Sequence, residues 1–179
     1  MRSKIAFECP KFVVKRFEQK LPNGNSETRW VVKFNPGYAI VPVVNGKKVL
    51  MIKEYKSSKK KYMFSLPSGG GKRGETPADG ALRELEEETG YTAKSLHLVK
   101  KEKVLGPMIE RDYYVFLASN LIRANGSRTS EKDEDILEVL EMPIPKVLSL
   151  GKDQILDSDK EFIKLAMGAY EKSLKSKDA

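Results

Sequence analysis

A chain of 179 residues is long enough for one full hydrophobic core and too short for two ordinary domains. Its 40% hydrophobic content predicts a globular protein, and the absence of a long apolar run argues against a membrane span or signal segment. Because Cys9 is the only cysteine, no internal disulfide can form, and we expect a cytoplasmic protein. The net charge of +8 reflects lysine runs at 56–61 and 172–177, which indicate solvated loops rather than a nucleic-acid surface because no aromatic residues interleave them.

The predicted elements begin with two pairs of strands and end with a helix. Strands are predicted at 11–17 and 28–34 around a turn at 21–25, at 37–44 and 48–55 around Asn45-Gly46, and at 95–104, 112–118 and 136–142. From Asp157 onward, apolar residues recur at helical spacing and predict a terminal amphipathic helix. The only histidine, His97, falls in an alternating strand pattern, which argues against a serine–histidine triad or a histidine-rich zinc site.

The middle of the chain predicts an acidic helix with clear ends. Thr76 is a suitable N-cap, Pro77 suits the first helical position, and Gly90 is a stop signal. Between these ends, Ala78, Leu82, Leu85 and Thr89 form an expected buried seam, and Glu84, Glu87 and Glu88 share the neighbouring face at i, i+3 and i+4. Repulsion at that spacing costs only about 0.2–0.5 kcal/mol per pair, so a solvated acidic face is an alternative to a binding site.

A glycine-rich loop at 67–75 precedes this helix. A phosphate-binding loop of the Walker type would end in Gly-Lys-Ser/Thr, whereas this loop ends Arg73-Gly74-Glu75, and no βαβ unit surrounds it as a dinucleotide fingerprint requires. Hard divalent cations prefer carboxylate and carbonyl oxygens, which the loop and the acidic helix together can supply. The combination therefore favours a metal site.

These residues together resemble the Nudix box. Gly69, Glu75 and the run Arg83-Glu84-Leu85-Glu86-Glu87-Glu88-Thr89-Gly90-Tyr91 match that motif at every required position over 23 residues. The resemblance implies an enzyme that hydrolyses nucleoside diphosphates linked to another moiety, with Mg²⁺ or Mn²⁺ as cofactor. It also implies an α/β fold, a Nudix-type α/β/α sandwich with a mixed sheet.

The resemblance further implies roles for individual residues. Glu84, Glu87 and Glu88 would bind the metal, Arg83 would orient one of these carboxylates, and the backbone around Ser68 and Gly69 would add a carbonyl ligand. Glu75 would support the site without binding the metal directly. The relatives place a catalytic base in a loop that here reads Glu131-Lys132-Asp133-Glu134; Glu134 is the preferred candidate for the base and Glu110 the second.

Features outside the box resemble the ADP-ribose pyrophosphatase group. Pro107 follows Tyr91 by sixteen residues, and a leading hairpin precedes the core. We therefore expect residues 1–35 to be an N-terminal β-hairpin extension used for homodimerisation and residues 36–179 to be the Nudix domain. Arg29 and Trp30 on the hairpin would reach the partner's site, with Trp30 stacking on adenine or, alternatively, packing in the dimer interface or the core.

The expected reaction is hydrolysis of ADP-ribose to AMP and ribose 5-phosphate. Lys56 stands where relatives have an arginine, so it would contact the diphosphate as a point charge rather than through a planar fork. The order Gly106-Pro107 also reverses the usual Pro-Gly of the relatives. Open alternatives are hydrolysis of another nucleotide sugar, a dinucleoside polyphosphate or an RNA end, and a non-catalytic nucleotide- or RNA-binding domain, which would be expected to lack some box carboxylates.

Overall fold

The computed structural model describes residues 3–125 and 135–175. Over these ranges the chain forms a ten-stranded mixed sheet and three helices. The strands are β1 (Lys4–Glu8), β2 (Phe12–Lys20), β3 (Ser26–Phe34), β4 (Gly37–Val44), β5 (Lys48–Lys56), β6 (Lys61–Ser65), β7 (Ser68–Gly70), β8 (Tyr91–Leu105), β9 (Ile109–Arg123) and β10 (Ile136–Pro143). The helices are α1 (Pro77–Thr89), α2 (Ile144–Ser149) and α3 (Asp157–Lys175).

The sheet connects the N-terminal strands to the core through β9. Its main order is β1-β2-β3-β9-β4-β5-β10, with β6 on β5, β7 on β4 and β8 on β9. The β3–β9 and β4–β9 pairs are parallel and the other pairs are antiparallel. The α/β fold class expected from the sequence is confirmed. The two strands of the predicted leading hairpin are present as β2 and β3.

Two hydrophobic layers place helices on opposite faces of this sheet. Alternate residues of β4 divide between the layers: Tyr38 and Ile40 pack with Leu85 of α1, whereas Val41 packs with Ile163 of α3. This alternation follows from the period of two in a strand, and because both faces are covered, seven of the eight residues of β4 are buried. The central strands are therefore fixed between α1 and α3.

The structure adds elements that the sequence patterns did not predict. These are β1, β6, β7 and α2, and β8 begins at Tyr91 rather than at 95. The buried seam of α1 also differs from expectation, because Ala78 is exposed and Ala81 is buried in its place. No helix in the described part of the chain is long and apolar enough to cross a membrane.

Candidate active site

Helix α1 is held at both ends as the sequence predicted. The side chain of Thr76 accepts a hydrogen bond from the backbone N–H of Asp79 at 3.2 Å. At the other end Gly90 adopts a left-handed conformation, φ 74°, and its N–H donates to the carbonyl of Glu86 at 2.8 Å. These caps fix where α1 begins and ends. The packing of Ala81 and Leu85 against the sheet sets its rotation, which turns Glu84 and Glu88 inward and leaves Glu86 in solvent.

Arg83 is the centre of an ion-pair network on the same helix. Its guanidinium donates to both oxygens of Glu75, with Nε–Oε1 at 2.7 Å and Nη2–Oε2 at 3.1 Å, and to the carbonyl of Gly70 at 3.0 Å. The Nη1 atom donates to Glu84 at 2.9 Å and to Glu87 at 2.6 Å. The bond to Arg83 lowers the pKa of Glu75 below its ordinary value, and the carboxylates raise the pKa of Arg83. Arg83 therefore joins the loop to two of the box carboxylates.

The glycine-rich strand β7 packs directly against the carboxylates. The N–H of Ser68 donates to Glu88 Oε2 at 2.9 Å. A Cβ atom on Gly69 would lie 2.1 Å from Cδ of Glu84, so only glycine permits this approach of backbone to carboxylate. Glu84 and Glu88 are 4% and 3% exposed, which places two acidic side chains in the protein interior beside this strand.

A cavity of about 900 Å³ opens beside these groups. Its wall includes backbone and side chains of β7 and the following loop together with Glu84, and on the other side residues from the N-terminal strands and from β9. The lining residues are Pro10, Lys11, Phe12, Phe34, Asn35, Tyr38, Ser68, Gly69, Gly70, Gly71, Lys72, Arg73, Glu84, Arg111 and Tyr113. Four cationic and four aromatic side chains thus surround one acidic side chain, a lining suited to an anionic ligand with an aromatic or apolar part.

The carboxylates of α1 and of the loop before it have the chemistry of a divalent-cation site. When all are ionised, the four carboxylates Glu75, Glu84, Glu87 and Glu88 exceed the two adjacent cations, Arg83 and Lys72, by two charges. Carboxylate oxygens beside backbone carbonyls are the ligands that Mg²⁺ accepts. In the arrangement seen over residues 3–125 and 135–175, no three acidic, histidine or cysteine side chains converge closely enough to hold a metal ion. The residue types fit the cation, and binding it would require their side chains to turn toward a common point.

The residues expected from the sequence to contact the substrate lie outside the cavity wall. Arg29 donates to the carbonyl of Pro107 at 3.3 Å, so these two are brought together. Trp30 is 45% exposed and packs beneath the guanidinium of Arg16. Lys56 pairs with Glu54 at 2.6 Å. Of the described residues that line the cavity, none is one of these four candidates.

Of the two candidates for the catalytic base, the structure describes Glu110 but not Glu134. Glu110 lies at the start of β9 and pairs with Lys103 at 3.0 Å and Lys33 at 3.9 Å. The hydrogen bond from Lys103 is the main cause that lowers the pKa of Glu110, which makes that carboxylate a weaker base. Glu134, the preferred candidate, lies outside the described residues.

Several cavity residues carry no signal in the sequence. The rings of Phe12 and Phe34 form a tilted cross-strand pair with their centroids 5.4 Å apart. Arg111 lies over the ring of Tyr113, and its Nε donates to the carbonyl of Asn35 at 3.2 Å. Each belongs to an ordinary strand pattern. The parallel pairing of β9 with both β3 and β4 brings them together, and that pairing joins distant segments without a local motif.

Comparison with known proteins finds a family match over most of the chain. Residues 33–165 match the sequence model of the NUDIX domain. The chain is 34% identical over 131 residues to the ADP-ribose pyrophosphatase of Bacillus subtilis (strain 168), covering 73% of this chain and 70% of that relative. It is also 25% identical over 158 residues to the methanol dehydrogenase activator of Bacillus methanolicus, covering 88% and 85% of the two chains.

A solved structure shares the fold at low sequence identity. The crystal structure of an ADP compounds hydrolase superimposes with a TM-score of 0.73 at 19% identity, covering 97% of this chain and 94% of that one. The superposition includes nearly the whole chain, and hence the N-terminal strands as well as the core.

Proposed function

Because this chain belongs to the Nudix family of hydrolases, we propose that it hydrolyses the diphosphate bond of ADP-ribose to give AMP and ribose 5-phosphate. The observation that carries the proposal is the carboxylate face of α1, arranged by Arg83 at the edge of a cavity lined with cations. A volume of about 900 Å³ lies within the range of small-molecule sites, roughly 300–1,000 Å³.

The cavity's side chains suit the two halves of this substrate. Lys11, Lys72 and Arg111 supply positive charge for the diphosphate. The Phe12–Phe34 pair offers aromatic surface for the adenine or the ribose. The name of the Bacillus subtilis relative supports ADP-ribose as the substrate, and the intact box carboxylates support catalysis over a purely binding role.

Glu84, Glu87 and Glu88, with a carbonyl near Ser68 or Gly69, would hold Mg²⁺ or Mn²⁺. When bound, the cation supplies charge that neutralises the diphosphate oxygens and orients the attacking water. Arg83 donates to both Glu84 and Glu87 and so holds these two carboxylates close together, and the Ser68 N–H holds Glu88. A carboxylate outside α1, with Glu134 as our candidate and Glu110 as the second, would accept the proton of that water.

We further propose that residues 1–35 form an extension through which two copies associate, and that residues 36–179 form the hydrolase domain. Exposed apolar side chains on this extension and on the β8–β9 connection support the proposal; they are Ile5, Phe7, Trp30, Leu105, Met108 and Ile109, each 45% exposed or more. In such a dimer Arg29 and Trp30 would approach the partner's cavity. Lys56 and Pro107 would contribute at the edge of the site.

The test is a hydrolysis assay with two matched variants. Purified protein with Mg²⁺ or Mn²⁺ should convert ADP-ribose to AMP and ribose 5-phosphate, and a chelator should stop the reaction. Glu88→Gln preserves the shape of a buried side chain but removes a charge from the cation site, so we expect kcat to fall by about 100-fold or more and Mn²⁺ affinity to fall with it.

Glu86→Gln is the matched control because Glu86 lies on the same helix with its side chain in solvent. It should keep kcat and Mn²⁺ affinity near the parent values. Full turnover in excess chelator, or equal damage from the two substitutions, would contradict the assignment of the carboxylate face. Preference for a dinucleoside polyphosphate or an RNA end over ADP-ribose would overturn the substrate and leave the reaction class.

A further inference from the structure

The connection between β6 and β7 is held by carboxylates from two different helices. Pro67 has no backbone N–H, so the donors of the connection are the amides of Leu66 and Ser68. Ser68 N–H donates to Glu88 Oε2 of α1 at 2.9 Å, and Leu66 N–H donates to Asp159 Oδ2 of α3 at 3.2 Å. The two helices lie on opposite faces of the sheet, so this short segment links them through two side chains that are almost fully buried.

Asp159 lies in an unusual position for a carboxylate. It is 9% exposed in the first turn of α3. Burial raises the pKa of Asp159 to about 6, while the Leu66 N–H, the charge of Lys56 and the hydroxyl of Ser158 act in the opposite direction and the charge of Glu54 adds to the rise. Lys56 and Glu54 form their own ion pair at 2.6 Å beside it. A buried acidic group in such a place is unfavourable unless it makes specific hydrogen bonds.

Other contacts fix the neighbours of the connection but leave its donors to the carboxylates. Phe64 N–H donates to the carbonyl of Gln154 at 2.8 Å, and Ile40 N–H donates to the carbonyl of Pro67 at 2.9 Å. The Leu66 side chain is 1% exposed in the core. Asp159 is not among the described residues that line the cavity. The hydrogen-bonded link from Asp159 to the cavity wall runs through Leu66 to Ser68, and the charge of Asp159 also acts on Tyr113 of that wall.

We propose that Asp159 is a positioning residue for the hydrolytic site: its carboxylate fixes the Leu66–Ser68 connection and thereby the N–H that holds Glu88. The inference rests on the proposed function for its catalytic consequence, and on the hydrogen bonds alone for its structural one. It assigns a role in the site to a residue on α3, a helix that contributes no side chain to the cavity wall in the described chain.

The test compares three substitutions in the first turn of α3. Asp159→Ala removes the acceptor, and we expect kcat for ADP-ribose to fall by about 10–100-fold with a smaller change in KM, because the substitution replaces no side chain of the cavity wall. Asp159→Asn keeps an oxygen that can accept from Leu66 N–H and should restore most of kcat. Asp157→Ala is the matched control, since Asp157 is in the same helical turn but is exposed and pairs with Lys152 at 3.2 Å.

Amide hydrogen exchange of Ser68 provides a readout that does not depend on activity. Exchange should accelerate at least about tenfold in Asp159→Ala and remain near the parent rate in the other two variants. If the protein does not hydrolyse ADP-ribose, the proposed substrate fails while this measurement still decides the positioning role. Should Asp159→Ala not fold, Asp159→Leu and Asp159→Asn are compared in its place. Unchanged Ser68 exchange in a folded variant that lacks the acceptor, or equal loss of kcat in Asp159→Asn and Asp159→Ala, would overturn the proposal.

Discussion

Arg83 shows how a single side chain can order several carboxylates at once. Its guanidinium reaches Glu75, Glu84 and Glu87 and also the carbonyl of Gly70. A lysine has one donor centre and could not span these groups, whereas arginine has five N–H donors in a planar fork. Only 18% of the Arg83 side chain is exposed, so its ion pairs are partly shielded from water and from salt. The hydrogen bonds of Arg83 within the protein therefore arrange the carboxylates of α1.

The buried carboxylate of Asp159 predicts a pH-dependent effect on stability. Its pKa is raised from 3.8 to about 6 in the folded protein, so the folded state binds its proton more tightly than the unfolded state does. That contribution to stability is fully present below pH 3.8 and is lost as the pH rises through about 6. Asp159→Asn should therefore increase the free energy of unfolding at pH 8 by at most about 3 kcal/mol, with the gain vanishing near pH 4.

Urea denaturation of the parent and of Asp159→Asn at the two pH values measures this difference. Asp157→Asn serves as the control, because Asp157 is exposed on the same turn and should give no pH-dependent gain. A loss of stability in Asp159→Asn that is equal at pH 8 and pH 4 would show that burial does not disfavour the charge of Asp159.

At the scale of elements, the short strand β7 determines how closely the backbone approaches the carboxylates of α1. It pairs with β4 through Gly37–Gly70, Tyr38–Gly69 and Ala39–Ser68. In Gly69→Ala the new methyl group would lie 2.1–2.3 Å from the carboxylate atoms of Glu84, so that side chain must move. We expect kcat to fall by up to about 100-fold in the hydrolysis assay, because displacements near 1 Å can have effects of that size.

Gly70→Ala is the matched control for the same strand. A Cβ atom there meets nothing within 4 Å, so kcat should stay close to that of the parent even if the methyl group changes KM for a cavity ligand. Equal loss of kcat in both variants would mean that the flexibility of β7, rather than contact with Glu84, explains the glycine at position 69.

The elements also show which parts of the fold could be predicted from sequence. The bounds of α1 follow from Thr76, Pro77 and Gly90, because capping and left-handed residues act within a few positions. The Asn45-Gly46 turn follows for the same reason, with φ of 50° and 67°. The missed elements lacked such local signals: β1 is exposed throughout, β7 is three residues long, and β6 begins in a lysine run. Pairing with neighbouring strands, rather than local propensity, stabilises these segments.

For the candidate site, the grouping of residues on α1 could be predicted from the sequence, whereas the other residues of the cavity could not. The three glutamates and Arg83 are close in sequence and share one helix face, so their proximity could be predicted. Phe12 and Arg111 could not be placed beside them, because they meet only through the strand order β2-β3-β9-β4. The parallel contact Val32–Ile109 joins positions far apart in the chain, and no periodicity within either strand specifies that partner.

At the scale of the whole molecule, the N-terminal strands contribute side chains both to the cavity and to an exposed apolar surface. Phe12 and Phe34 line the cavity, whereas the apolar side chains of Ile5, Phe7 and Trp30 are exposed to solvent. Strand β1 is at one end of the sheet order, so its outer edge offers backbone donors and acceptors to another strand. An exposed apolar surface next to an open strand edge is typical of an interface between chains.

The homodimer proposed above gives the last prediction. Light scattering should yield about twice the chain mass of 20.2 kDa, because burying these apolar side chains is favourable in water. If Trp30 contributes to the partner's site, Trp30→Ala should raise KM for ADP-ribose about tenfold or more while leaving kcat largely intact, as expected for lost ring stacking. Leu174→Ala is the control: Leu174 is an apolar side chain that is 47% exposed near the end of α3, a helix outside the N-terminal strands. A dimer with unchanged KM in Trp30→Ala would place Trp30 in the interface alone, whereas a monomer with full activity would show that the cavity of one chain suffices for the reaction.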